Sequence, residues 1–167
     1  MEEIFRRRSV RHFTDTAVSE DDTLLLLKAA MQAPSAGNEQ PWEFITIRDR
    51  GMMLKIVETQ PYTNALREAT LAIVVCGDTK KQKYPYDFWV QDCTAALQNI
   101  LLEAVHIGLG AVWLGVYPIE ERIANLTGML GLPVDVLPLG IVAVGQLVET
   151  PQPIDRFDSQ RVHPEKW

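Results

Sequence analysis

The chain has 167 residues, 47% of them hydrophobic and 23% charged, a length and balance that suit one compact domain with its own core. Sixteen basic side chains against 22 acidic ones leave a net charge of −6, which argues against a protein built to grip nucleic acid or an anionic membrane. No stretch approaches the roughly 18–20 apolar residues of a membrane span, and the start, Met1-Glu-Glu-Ile-Phe-Arg, has no apolar signal-peptide core. Cys76 and Cys93 form no CxxC or Cys/His cluster of metal spacing, so zinc is not expected and a reduced, cytoplasmic protein fits best.

In chain order, residues 2–8 read as a short amphipathic helix with Ile4 and Phe5 inward. Ser19 and Asp22 resemble a capping box, because a short oxygen side chain accepts an orphan amide hydrogen there. The helix it opens runs to about residue 32, with Leu24, Leu27 and Met31 on one face. Residues 33–42, with two prolines, a glycine and an asparagine, make a loop. Residues 43–48 follow as a strand, 51–58 as a helix and 70–77 as a buried strand. Residues 80–87 are polar and exposed. Residues 88–107 contain neither Gly nor Pro, and Leu97, Ile100, Leu101, Ala104 and Val105 keep helical spacing. This helix, ended by Gly108 and Gly110, is the expected centre of the fold. A strand over 111–117, a helix over 119–128 and a buried strand within 138–148 complete the pattern. The polar tail from about residue 149 ends in Trp167, as a segment docked on a partner chain would.

Three clusters bear on chemistry. Arg6-Arg-Arg-Ser-Val-Arg-His12 packs four arginines into six residues, and the guanidinium fork fits phosphate oxygens. Its plainer reading is a solvated basic patch. Pro34-Ser-Ala-Gly-Asn38 with Gln40-Pro-Trp42 lets backbone approach a flat ligand closely, or is merely a stapled turn. Gly108-Leu-Gly-Ala-Val-Trp-Leu-Gly115 keeps backbone free of bulk, for a redox centre or for close helix–strand packing. Its glycines sit at a helix end before a strand, the reverse of the dinucleotide fingerprint.

Taken in this order, Arg7-Arg-Ser-Val-Arg11, Pro34-Ser35, Asn38, Gln40-Pro-Trp42 and Gly108-Leu-Gly with Trp113-Leu-Gly115 resemble the FMN-dependent nitroreductase family, short members included. The strand Ile73–Gly77, the helix holding Gln98-Asn99 and the ending Val162–Trp167 extend the resemblance over nearly the whole chain. The resemblance implies an α+β fold, a central sheet flanked by helices, in an intertwined homodimer with FMN at the interface. It implies that Arg7 and Ser9, with Arg8 beside them, hold the FMN phosphate, and that Arg11 lies near N1 and the C2 carbonyl. A fixed cation there stabilises the reduced ring. It further implies that Pro34, Ser35 and Asn38 reach the flavin from the second subunit. Leu114 and Gly115 would lie by its N5 edge with Trp113 also among the flavin-binding residues, Arg161 and Lys166 would complete the phosphate site, and Asn64 would meet the pyrimidine edge.

The family's activity is a ping-pong transfer of two electrons from NADH or NADPH to a small-molecule acceptor such as a nitroaromatic or a quinone. Compared with larger members, this chain lacks long insertions and carries Leu114-Gly115-Val116 at the flavin edge. Residues 80–87, with Tyr84, Tyr86 and then Trp89, are the one candidate lid, and read more simply as an exposed loop. His12 and His106 have no acid partner at readable spacing and are taken as structural. Two other readings stay open at this level: an FMN store or sensor without turnover, and a related flavin enzyme of dehalogenase or dehydrogenase type.

Overall fold

The structure is a computed structural model that describes residues 2–167. The chain opens with a one-turn helix, α1 (Glu2–Arg6), followed by an extended segment and then α2 (Glu20–Ala30). Ser19 caps α2, its hydroxyl accepting from the Asp22 amide at 3.0 Å. Then come β1 (Trp42–Ile47), α3 (Arg50–Thr59), β2 (Leu71–Asp78), α4 (Phe88–His106), β3 (Leu109–Gly115), α5 (Glu120–Leu130) and β4 (Val136–Gln146).

The four strands form one antiparallel sheet in the order β1-β2-β4-β3. Its central strands are buried on both faces, because successive side chains alternate between two cores. Leu71, Ile73, Val75, Val142 and Val144 face α4 and α2. Ala72, Val74, Cys76, Ile141 and Ala143 face Met53 and Ile56 of α3 and Leu126 of α5. An antiparallel sheet covered on both sides shows apolar runs in place of alternation, which is why β2 and β4 read as continuously hydrophobic. Helix α4 lies across the first face and buries Trp89, Cys93, Ala96, Leu97, Ile100, Leu101 and Ala104.

Strand β3 is an edge, and the N-terminal segment runs along it. Val10 donates to the Ala111 carbonyl at 3.0 Å, and Thr14 donates to the Gln146 carbonyl at 3.1 Å. This places Ser9, Arg11 and His12 beside the end of the sheet.

Three expectations change. Helix α1 stops at Arg6, and Ile4 and Phe5 point outward, 53% and 70% exposed. In α2 the buried stripe is Thr23, Leu26 and Ala30, whereas Leu24 and Met31 are exposed and only Leu27 touches the core. Trp89 is a core residue stacked edge-on against Tyr117 at 5.0 Å, not part of a lid. Among the described residues no helix is long and apolar enough to cross a membrane.

Candidate functional site

A cleft of about 490 Å³ opens where the N-terminal segment, the turn at Asn64–Arg67, the end of β3 and the first turn of α5 meet. Its walls carry Arg11, His12, Tyr62, Asn64, Arg67, Glu68, Trp113, Leu114, Gly115 and Arg122. Strand geometry explains the β3 wall. Ala111 offers its carbonyl to Val10, away from β4. In an antiparallel ladder the hydrogen-bonding groups of every second residue point the same way, so Trp113 and Gly115 also present theirs to the open edge. The Gly115 carbonyl accepts from Arg122 Nη1 at 3.0 Å. The Arg122 guanidinium in turn lies over the Tyr62 ring, 5.7 Å from its centroid. Trp113 rests its indole against Gly140 of the neighbouring strand, where any side chain would collide with it.

The cleft is cationic in an acidic chain. Its one carboxylate, Glu68, accepts from the Phe13 amide at 3.0 Å and pairs with His12 Nδ1 at 3.1 Å. These bonds, the Phe13 amide first and His12 second, hold Glu68 below the usual carboxylate range. Two of the three histidines have an acid partner, Glu68 for His12 and Glu3 for His106, each at 3.1 Å. Arg67 Nε reaches Asn64 Oδ1 at only 3.4 Å, which leaves its fork turned to solvent.

Next along the chain is a second basic cluster. Arg7 and Arg8 line a cavity of about 280 Å³ together with Ile154, Asp155, Arg156 and Phe157 of the tail. Burial, then the nearby charges of Arg156 and Arg8, lowers the Arg7 pKa. Three cations gathered so closely suit an anion. Arg8 has a structural task as well, since it donates to the carbonyls of Phe5, Arg7 and Gln152. Ser9 lies between the two clusters, bridged to Ala111.

The remaining expected residues lie apart from the cleft within this chain. The loop of Pro34, Ser35 and Asn38 packs on the N-terminal part of α4, where Asp92 Oδ1 accepts from the Ala36 amide at 3.0 Å. Ser35 Oγ accepts from the Gln40 amide at 3.0 Å. Gly37, Asn38 and Gln40 all adopt positive φ, at 52°, 54° and 48°. Such a backbone persists only when its surroundings hold it. Lys83 supplies two of the holds, from its amide to Glu39 Oε1 and from its ammonium to the Gly37 carbonyl, both at 2.6 Å. Asp92 is buried, which pushes its carboxyl up. Arg161 pairs with Asp158 at 3.1 Å on the exposed tail, and Lys166 is exposed beyond it.

Five cleft residues, His12, Tyr62, Arg67, Glu68 and Arg122, were not expected to act, and neither was Arg156. Only Arg67 carried a signal, standing three residues after Asn64 in a helical turn. Among the described residues no three His, Cys, Asp or Glu side chains converge to hold a metal.

The chain matches the family model for the Nitroreductase family over residues 4–62 and 54–146. It is 50% identical to an Archaeoglobus fulgidus protein named provisionally as an NADH dehydrogenase/NAD(P)H nitroreductase, over 98% of this chain and 96% of that one. It superposes with a TM-score of 0.95 and 46% identity on a protein from Clostridium acetobutylicum provisionally called an NADH oxidase, covering 99% of both chains. A structure from Desulfovibrio desulfuricans, provisionally a nitroreductase and described in complex with FMN, aligns with a TM-score of 0.85 and 31% identity, over 99% of this chain and 96% of that one.

Proposed function

We propose that this chain, which belongs to the nitroreductase family, binds FMN as one domain and passes two electrons from NADH or NADPH to a small organic acceptor such as a nitroaromatic or a quinone. The observation that carries the reading is the cleft: cationic in a chain of net charge −6, and walled by the open backbone edge of β3. Its size falls within the ~300–1,000 Å³ usual for cofactor sites.

The residues fit the cofactor at both ends. Arg7, Arg8 and Arg156 outnumber the one carboxylate of their cavity, Asp155, and form a cationic cluster suited to a phosphate, with Ser9 next to Arg8 in the chain. Four residues on, at most roughly 13 Å of extended chain, Arg11 stands in the cleft where a flat ring would lie. Asn64 offers amide groups to a ring edge, and the Trp113–Gly115 backbone flanks it without bulk, since nothing lies within 4 Å of where a Gly115 side chain would start. When bound, FMN supplies the hydride chemistry, so the protein's task is binding, orientation and charge. Arg11 offers a fixed positive charge to an electron-rich ring, which favours its reduced form.

The functional unit we propose is an intertwined, cytoplasmic homodimer. Ile4, Phe5, Leu24 and Met31 are exposed apolar side chains, and a groove of about 580 Å³ between α1, α2 and α4 holds Ile4, Ala29 and Leu102. The tail offers Ile154, Phe157, Val162 and a fully exposed Trp167. An isologous partner would cover these surfaces. Pro34, Ser35 and Asn38, with Arg161 and Lys166, would then serve the partner's cleft.

Titration of FMN by fluorescence quenching tests the cofactor claim. One FMN per chain is expected, with Arg11→Ala and Arg7→Ala each weakening binding about tenfold or more, the worth of a charge-assisted contact. Unchanged affinity in both variants would overturn the assignment. Sedimentation of a chain cut before Arg156 tests the dimer; a truncated protein that stays dimeric with full flavin affinity would rule out the tail's part in it.

A further inference from the structure

We infer that the cleft contains an oxyanion subsite built on Arg122, with Arg67 beside it, and that the substrates it selects are flat molecules carrying a carboxylate or phosphate. This rests on the flavin reading of the cleft and names the chemistry of what binds next to the ring.

The charge inventory comes first. The cleft walls hold the guanidinium groups of Arg11, Arg67 and Arg122 and the imidazole of His12, against the single carboxylate of Glu68. Both Glu68 oxygens are already engaged, by His12 and by the Phe13 amide. Among the described residues none of the three arginines is ion-paired with a carboxylate. A partly enclosed cleft with unpaired charges of one sign focuses their field and concentrates ligands of the other sign.

Arg11 is the cation assigned to the flavin ring, which leaves Arg67 and Arg122 for a second ligand. Arg122 is the better built of the two. Its Nη1 is held by the Gly115 carbonyl at 3.0 Å, and its plane lies over Tyr62 at 5.7 Å. These contacts fix the fork and use one of its five N–H donors, so it remains able to grip an oxyanion through two parallel bonds. Gly115 belongs to the β3 wall, and the side chain held there therefore sits beside the edge assigned to electron transfer. Arg67 adds a second charge from the turn opposite, tethered only through Nε. The oxyanion has two sources, the phosphates of the nicotinamide donor or an acidic group on the acceptor.

The test uses the oxidised FMN-loaded protein and two non-reacting probes of the same shape, benzoate and benzamide. Their binding is read from the perturbed visible spectrum of the flavin. Benzoate should bind about tenfold or more tightly than benzamide at low salt, and the advantage should shrink as salt rises. Arg122→Gln should cut that preference to about twofold, while Arg122→Lys keeps part of it. Equal binding of the two probes by the wild type, or an undiminished preference in Arg122→Gln, would overturn the subsite. Steady-state arms then identify the source. A raised KM for NADH but not for the phosphate-free donor N-benzyl dihydronicotinamide assigns the site to the donor. A loss confined to para-nitrobenzoate, with para-nitrobenzamide unchanged, assigns it to the acceptor. Should the protein bind no FMN, it is the flavin reading that fails, and the same probe pair read by calorimetry on the flavin-free chain still decides the subsite.

Discussion

Replacing Gly145 by alanine should damage both the core and the cleft. Gly145 lies on central strand β4, and a Cβ built there meets Cγ, Cβ and Cδ1 of Phe13 at 2.7, 2.8 and 2.9 Å. Ordinary carbon contacts begin near ~3.5 Å, so the ring must retreat by roughly 0.8 Å. Phe13 is 6% exposed and packed within the second core, which gives it little room. Overpacking of this kind costs about 1–3 kcal/mol, a large fraction of the ~5–15 kcal/mol that holds a typical domain folded. The displacement also spreads along the chain. Phe13 is tied by its amide to Glu68 and bridged to Leu147, and it follows Arg11 and His12 directly. Gly145→Ala should therefore lower the thermal midpoint by roughly 2–12 °C at equal FMN concentration and weaken flavin binding in the same variant. Gly115→Ala is the contrast: with nothing within 4 Å, it should change stability by no more than about 0.5 kcal/mol. Differential scanning calorimetry with FMN titration reads both effects. A Gly145→Ala protein as stable as wild type would refute the packing argument, and lower stability with unchanged flavin affinity would refute the link from Phe13 to the cleft.

Substitutions at two carboxylates, Asp92 and Glu68, probe a buried and a surface site. Asp92→Ala strands the Ala36 amide and should cost about 1–3 kcal/mol, whereas Asp92→Asn keeps an acceptor and sheds a charge that burial disfavours. Because the folded-state pKa of Asp92 is raised, the wild type should lose stability as pH climbs from the ordinary carboxylate range through the raised value. Asp92→Asn should flatten that slope in urea melts, and an unaltered slope would count against it. Glu68 behaves in the opposite sense. Its folded-state pKa is lowered, so its contribution is present above the ordinary carboxylate value and is lost as pH falls through the folded one. Glu68→Gln should remove part of the acid limb of a midpoint-against-pH curve; superimposable limbs would show that the Phe13 and His12 bonds carry no such linkage.

What could be read from the residues alone divides along physical lines. Helix α4 was legible because nineteen residues without Gly or Pro carry a single apolar stripe. The strands were legible because β2 and β4, buried on both faces, are unbroken apolar runs. The inward face of α2 was not, since Leu24-Leu-Leu-Leu27 offers two apolar stripes and periodicity cannot choose between them. The structure buries the Leu26 stripe and leaves Leu24 and Met31 for another surface. In the cleft, Arg11, Asn64 and the Trp113–Gly115 segment were anticipated, while Arg122 was not. One cation in the first turn of a surface helix carries no pattern, and only the fold brings it to the Gly115 carbonyl. The His12–Glu68 pair spans 56 positions, beyond any local spacing rule. Arg156 joins Arg7 and Arg8 only because the tail folds back onto α1.

The central claim is tested most directly by the visible spectrum of the FMN-loaded protein, recorded without oxygen before and after addition of NADH or NADPH. The account predicts that the oxidised flavin band bleaches with one of the two nicotinamides and returns when a quinone or nitroaromatic is added. A protein that binds FMN but keeps it oxidised in the presence of both nicotinamides would contradict it.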